Sequence, residues 1–324
     1  MPKNYDVIII GAGPAGATAA LYTARIGYAT LLLDSGSAHG HTGPQESLLD
    51  FPGAADQPTG DALLTRLRGQ ARDAGAEVRD LAVTGVAFSE TDHIVTTNTV
   101  NDPLTQPSPE GERGNHTSEF HARCVILASG CGRPAATLPG EMELYGRGVS
   151  YHVMRDMYRY RGQPVALYGK TIEAAQAVLL ASRVASQVTF IVPSNKLELP
   201  EALQTQLQKS EKIHAHFSAS LKEIRGNPSV TDVVVLSGGQ EKIIPSQAIF
   251  LYHHPHHVDA AYLGTAVERG TTGNILVDEQ LATSAPGVFA CGDVLCGEPQ
   301  IPVIAAAQGA MAALSVEKFL TRKE

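Results

Sequence analysis

Apolar residues along this chain fall into two rhythms. Short, nearly continuous runs end in glycine or other small residues: Asp6 to Ile10, Ala29 to Leu33, Arg123 to Gly130, Val165 to Gly169, Val188 to Val192 and Gly287 to Asp293. Runs of that length without alternation are what parallel strands buried on both faces require. Between them lie alanine-rich stretches of helical length, Ala15 to Ile26, Ile172 to Ala185 and Pro302 to Leu320, and an amphipathic stretch from Thr59 to Gly75 with Leu63, Leu64 and Leu67 on one face. Val78 to Val86 and His93 to Thr97 read as strands of a small antiparallel sheet, and Val230 to Ser237 with Lys242 to Ile244 as a hairpin. Asn101 to Ser118, rich in Pro, Gly and polar residues without periodicity, reads as an exposed loop. Strand–helix–strand openings occur twice, from residues 6 and 165, which predicts an α/β chain of two Rossmann-like domains. The first is discontinuous, 1–135 with 248–324. The second is 136–247, and Ala248 to Leu251 leads the chain back.

Composition narrows the class. With 324 residues and 43% hydrophobic side chains the chain can bury two cores. No uninterrupted apolar run approaches the roughly 20 residues of a membrane span, and no basic-then-apolar signal opens the sequence, so a cytoplasmic protein without membrane association is expected. A formal charge of -8 argues against a nucleic-acid partner. The four cysteines lack zinc-type spacing, and no metal site is expected.

The chemistry concentrates in the first strand–helix–strand unit. Gly11-Ala12-Gly13-Pro14-Ala15-Gly16 has the G-x-G-x-x-G pattern: glycines allow a tight turn, close backbone approach to a pyrophosphate, and packing of the helix on the strand. The phosphates then meet the positive end of the helix dipole. Asp34, closing the second strand, is placed to accept hydrogen bonds from a ribose hydroxyl, and the small residues and imidazoles after it, Ser35, Gly40 and His41 among them, can wrap a cofactor. A glycine-rich turn without ligand is the alternative.

GAGPAG at 11–16, FPG at 51–53, ILASG at 126–130, LPGE at 138–141, GRGVS at 146–150, CGDV at 291–294 and AAQGAMAAL at 306–314 appear in an order that resembles the low-molecular-weight thioredoxin reductase family, over about nine-tenths of the chain. The resemblance implies FAD in the first domain, with Gly11, Gly13, Pro14, Ala15 and Gly16 at the pyrophosphate, Asp34 at the adenosine ribose and Asp293 at the ribityl hydroxyls. Asp50, Ser129, Gly130, Gly292, Gln300 and Ile301 are the further cofactor positions it suggests. It also implies a homodimer and hinges near 135–150 and 245–252.

The departures from that family shape the functional reading. Where it carries A-C-x-x-C-D after GVS, this chain has Tyr151-His152-Val153-Met154-Arg155-Asp156, so neither cysteine of the redox disulfide is present. Its second glycine motif becomes Gly169-Lys170-Thr171-Ile172-Glu173-Ala174, and the arginines that grip the NADPH 2'-phosphate align with Val192-Pro193-Ser194. NADPH is therefore not expected to bind. Tyr252 replaces a family glycine ahead of His253-His254-Pro255-His256-His257. Tyr151, His152, Tyr252 and His256 then form either an aromatic surface able to stack on a second flavin or a repacked domain interface.

Electrons need another route. Cys291 and Cys296 flank Gly292-Asp293-Val294-Leu295 and form a candidate disulfide if the loop folds back, with Cys131–Cys291 as the rival pair and Cys124 as a core residue. Arg155, Arg159 and Arg161 form a local basic cluster, read either as a docking point for an acidic, ferredoxin-like carrier or as a solvated helix face. The expected function is an FAD-dependent, NADPH-independent oxidoreductase exchanging electrons between flavin and a thiol or disulfide, on a partner protein or a small dithiol, or with a second flavin. In lacking both motifs the chain is similar to the diflavin-linked disulfide oxidoreductases of cyanobacteria. The alternatives are a catalytically retired flavin-binding sensor and a flavin oxidase.

Overall fold

The computed structural model describes residues 3–36, 42, 48, 50–54, 56, 58–99, 117–131, 137–253, 258, 260–295 and 300–322. The chain divides into two compact units, 1–133 with 256–324, and 134–255. In the first unit β1 (Lys3–Ile10), α1 (Pro14–Ile26), β2 (Thr30–Asp34), α2 (Gly60–Asp73), β3 (Glu77–Ala87), β4 (His93–Thr99) and β5 (Thr117–Leu127) follow in order. The second unit holds β6 (Val149–Ser150), α3 (Val153–Asp156), β7 (Pro164–Gly169), α4 (Ile172–Ser182), β8 (Gln187–Ile191), α5 (Glu201–Lys209), β9 (Ile213–His216), β10 (Ala219–Gly226), β11 (Val230–Ser237), β12 (Gln240–Pro245) and β13 (Ala248–Tyr252). The chain then returns with β14 (Val288–Ala290) and α6 (Pro302–Thr321).

In the first unit β1, β2, β5 and β14 are parallel, with β1 between β2 and β5 and β14 beyond β5. Their near-continuous apolar sequences supply both faces. Ile8, Ile10, Leu31, Leu33, Val125 and Leu127 enter one apolar cluster, and the alternate residues Val7, Ile9, Leu32, Cys124 and Ile126 enter the other. Ala15, Ala19 and Ala20 of α1 and Ala305, Ala312 and Val316 of α6 complete that second cluster. The helices meet at a point where only glycine fits: a Cβ on Gly309 would lie 2.1 Å from the Ala15 carbonyl oxygen and 3.1 Å from the Ala19 nitrogen. By length and composition α6 is the one helix among the described residues able to cross a membrane, but the face carrying Ala305, Gly309, Ala312 and Val316 is buried in this core.

In the second unit a parallel sheet runs β6-β13-β7-β8-β9, and β10, β11 and β12 form an antiparallel sheet. Val165, Leu167, Phe190 and Phe250 pack with Ala174 and Val178 of α4; Ala166, Ile191 and Ile249 pack with Leu221, Val233 and Val235.

Three boundaries differ from the sequence reading. Ala248–Tyr252 does not lead into the first unit; it pairs with β7 and β6, so the chain returns after it. β5 begins at Thr117 rather than Arg123, because its first half pairs antiparallel with β4 over residues 117–122, while β1 runs beside it from Phe120 to Leu127 and β14 joins from Val125. The expected hairpin gains β10 as a third strand. Most of the expected loop, 100–116, lies outside the described residues.

Gly309→Ala forces α6 away from the α1 backbone. A destabilisation of about 1–3 kcal/mol is expected, the usual cost of overpacking a filled contact. It is read as a lowered midpoint in thermal unfolding of the apoprotein; an unchanged midpoint would contradict the contact.

Candidate functional site

The carboxyl ends of β1, β2, β5 and β14 bring together the first set of predicted residues, as doubly wound sheets place their ligand sites. Gly11 leaves β1 with φ +103°, and a Cβ there would lie 2.3 Å from the Ala128 carbonyl oxygen. A Cβ on Gly16 would lie 1.8 Å from the Gly11 carbonyl oxygen. These two glycines are therefore demanded by the protein's own packing. Gly13 differs: a Cβ there would meet nothing within 4 Å, so its bare backbone faces open space at the N-terminus of α1. Pro14 opens that helix and no side chain caps it.

Asp34 ends β2 beside this turn. Burial pushes its carboxyl above the ordinary value, and the Arg68 guanidinium of α2 pulls it back, with the Ser35 and Ala12 backbone N–H groups also favouring the carboxylate. Gly292 follows β14 with φ +78° and donates its backbone N–H to Gln308 Oε1 at 2.7 Å, placing Asp293 in a short turn of 3-10 helix. Ser129 and Gly130 follow β5, and Ser129 Oγ accepts a hydrogen bond from the Tyr262 hydroxyl at 3.1 Å. Gln300 is 5% exposed, and among the described residues neither its amide oxygen nor its amide nitrogen has a partner. Ile301 occupies the N-cap position of α6 and has no side-chain acceptor, so the helix N-terminus, opened by Pro302, is without a side-chain cap. Asp50 is partly buried; Gly40, His41, His256 and Cys296 lie outside the described residues. The open backbone at Gly13, the uncapped α1 and the unpartnered Gln300 amide fit a dinucleotide. Sequence reasoning missed Arg68 and Gln308. Arg68 carries no spacing signal, whereas Gln308 lies within the AAQGAMAAL segment.

In the second unit His152 stands at the first of the family's cysteine positions, and Arg155, at the second, is in a buried ion pair with Asp156. Arg155 donates from Nε to Asp156 Oδ1 at 3.0 Å and from Nη2 to Oδ2 at 2.8 Å, and the Ser150 hydroxyl donates to Oδ2 at 2.5 Å. Burial alone would raise the Asp156 carboxyl, but Arg155 and Ser150 hold it below its ordinary value, so it is a fixed carboxylate and not a proton donor. Arg155 is thereby withdrawn from the expected basic surface cluster, which is reduced to Arg159 and Arg161. Tyr151 is 2% exposed, with its ring 5.5 Å from that of Tyr145 and its hydroxyl donating to Glu141 Oε1 at 2.7 Å. It belongs to the core and is no stacking platform. His152 is equally buried at 5%. Tyr252 is partly exposed, and its hydroxyl accepts the Val153 backbone N–H at 3.2 Å, pinning the start of α3.

The second glycine turn is closed by its own residues. Thr171 caps α4, its Oγ1 accepting the Ala174 N–H at 3.2 Å. A Cβ on Gly169 would lie 2.9 Å from the Cβ atoms of Ala174 and Tyr252.

The cysteines separate across the first sheet. Cys131 packs in the cluster of Val125 and Leu127, Cys291 in that of Cys124 and Ile126 on the opposite face. Cys291 is a free thiol, so the Cys131–Cys291 pairing is not formed. It is fully buried, and burial pushes its thiol up to about 12.

The family model of pyridine nucleotide-disulphide oxidoreductases matches residues 5–312. A thioredoxin reductase of Aquifex aeolicus is 36% identical over 99% of this chain and 95% of its own length, and one of Listeria innocua 31% identical over 98% and 94%. A solved thioredoxin reductase from Streptococcus pyogenes superposes with a TM-score of 0.86 at 25% identity, covering 99% of this chain and 100% of that one. The chain belongs to the low-molecular-weight thioredoxin reductase family of flavin oxidoreductases acting on disulfides, and its first unit is an FAD-binding fold.

At pH 8 the thiolate fraction of Cys291 is on the order of 10⁻⁴ for a thiol so displaced. Iodoacetamide is expected to leave Cys291 unmodified in the native protein and to modify it on unfolding, as read by peptide mass spectrometry. Rapid native labelling would contradict its burial.

Proposed function

We propose that this protein is an FAD-dependent oxidoreductase that exchanges electrons between its flavin and a thiol or disulfide without using NADPH. The observation that carries the reading is a contrast between the units. The first keeps an open cradle at Gly13, Asp34 and Gln300, while the second has His152 and Arg155 at the redox-cysteine positions, Arg155 being paired with Asp156. The backbone of Gly11 to Gly16 would hold the pyrophosphate, Asp34 the adenosine ribose, Asp293 the ribityl chain, and Gln300 with the N-terminus of α6 the flavin ring. FAD, when bound, supplies a two-electron acceptor for a dithiol.

The chain's own residues oppose NADPH. Thr171 occupies an α4 N-terminal N–H that a pyrophosphate would need, and Val192-Pro193-Ser194 offers no cation to a 2'-phosphate. Of the groups that would stack on a second flavin, Tyr151 and His152 are core residues, so the stoichiometry we propose is one FAD per chain. Cys291 with Cys296 remains the proposed internal dithiol, Cys291 being its inner, protonated member. The partner is a thiol/disulfide protein of the kind the relatives' name specifies; the loss of Arg155 from the surface makes an acidic, ferredoxin-like carrier the weaker choice. Tyr22 and Ile26 on α1 and Met311 and Leu314 on α6 are 41–49% exposed, which supports a homodimer through these helices. A second reading, a flavin-binding protein without its own dithiol chemistry, is favoured by the buried, protonated Cys291.

An anaerobic titration with dithiothreitol, counting flavin released per chain, tests the proposal. Loss of the flavin's visible absorption band, abolished in Cys291→Ser and in Cys296→Ser, with one flavin per chain, is expected. Bleaching that persists in both variants removes the internal dithiol. No bleaching at all sinks the thiol chemistry and leaves the flavin-binding reading.

A further inference from the structure

Arg68 lies on α2, away from the glycine turn in sequence, yet it touches two of that turn's supports. Its Nε donates to the Ala12 carbonyl oxygen at 3.0 Å, and its Nη2 forms an ion pair with Asp34 Oδ2. The Ala12 backbone N–H in turn favours the Asp34 carboxylate. Ala12, between Gly11 and Gly13, is thus held by its carbonyl through the same guanidinium that pairs with Asp34. The Arg68 and Asp34 side chains are 26% and 12% exposed, so water weakens this clasp less than it would a surface pair.

We infer that Arg68 is a positioning residue for the adenosine half of FAD: it fixes the Asp34 carboxylate and the Ala12 peptide in the geometry that receives ribose and pyrophosphate. A carboxylate buried at the end of β2 drifts towards its neutral form, and a neutral carboxyl is the poorer acceptor for ribose hydroxyls. Asp80 of β3, opposite Asp34 in the strand register, pushes in the same direction. Arg68 is the cation that opposes both effects. Its second bond prevents the Ala12 peptide from turning, which keeps the Gly13 backbone presented to the ligand. The inference rests on Asp34 being the ribose acceptor.

FAD binding to flavin-stripped apoprotein, followed by quenching of flavin fluorescence, tests this in a double-mutant cycle of Arg68→Met and Asp34→Asn. Arg68→Met keeps the aliphatic stem, and an apoprotein melting midpoint near that of the parent shows that the fold survives. The expected result is an FAD dissociation constant raised about tenfold, as for loss of one charge-assisted hydrogen bond. Arg68→Lys recovers part of the loss, and in the Asp34→Asn background the Arg68→Met effect largely disappears. Without Arg68 the Asp34 carboxyl titrates higher, so affinity begins to fall at a higher pH on acidification. Unchanged affinity in Arg68→Met, tighter binding because Arg68 had competed with ribose, or an undiminished effect in the Asp34→Asn background would each overturn the inference while leaving Asp34 as the acceptor. Unchanged affinity in Asp34→Asn alone would overturn both.

Discussion

The first turn of α1 is gripped on three sides, and the cradle depends on that grip. Gly16 lets the helix lie against the Gly11 carbonyl, Gly309 lets α6 lie against the Ala15 carbonyl, and a Cβ on Gly292 would come within 2.8 Å of the Ala15 Cβ. Each approach is closer than a side chain permits, and together they fix Ala15 with respect to β1, α6 and the turn after β14. Steric exclusion of this kind is stiff, because close-packed interiors do not yield continuously. With the turn fixed, Gly13 is the one glycine of the motif with open space, and the uncapped helix N-terminus points where an anion is stabilised.

In the second unit the polar groups at the corresponding turns are satisfied by internal contacts. The hydroxyl of Thr171 satisfies an α4 backbone donor, the Tyr252 hydroxyl satisfies the Val153 donor, and Arg155 neutralises Asp156. A buried ion pair is a weak source of stability, but removing one partner leaves an uncompensated charge at a cost of about 3–5 kcal/mol. The pair leaves Asp156 no proton to give, and the Ser150 hydroxyl donated to the same carboxylate ties α3 to β6. The unit remains folded by the cores on either face of its parallel sheet, which owe nothing to a nucleotide.

The strand–helix–strand unit at the N-terminus was legible because periodicity, glycine spacing and the terminal acid all point the same way. The second Rossmann-like unit was legible for the same reason, although its boundary was not: Ala248–Tyr252 carries no signal for which sheet it joins, and its pairing with β7 is a tertiary choice. The loss of the cysteines was legible directly. How the residues there pack was not, because a tyrosine and a histidine beside a turn read equally as ligand platform or core, and only packing against Tyr145 and the Glu141 bond decides for Tyr151. The placement of Cys131 and Cys291 in opposite clusters was not legible either, because both follow the ends of their strands, where alternation no longer assigns a face.

The proposed retention of the flavin cradle together with loss of NADPH use is decided by anaerobic mixing of the FAD-loaded protein with excess NADPH. The oxidised flavin spectrum is expected to persist, and equilibrium dialysis to find no NADPH bound. Prompt bleaching of the flavin by NADPH would contradict it, and would mean that the α4 turn opens to a nucleotide despite Thr171 and the missing cations.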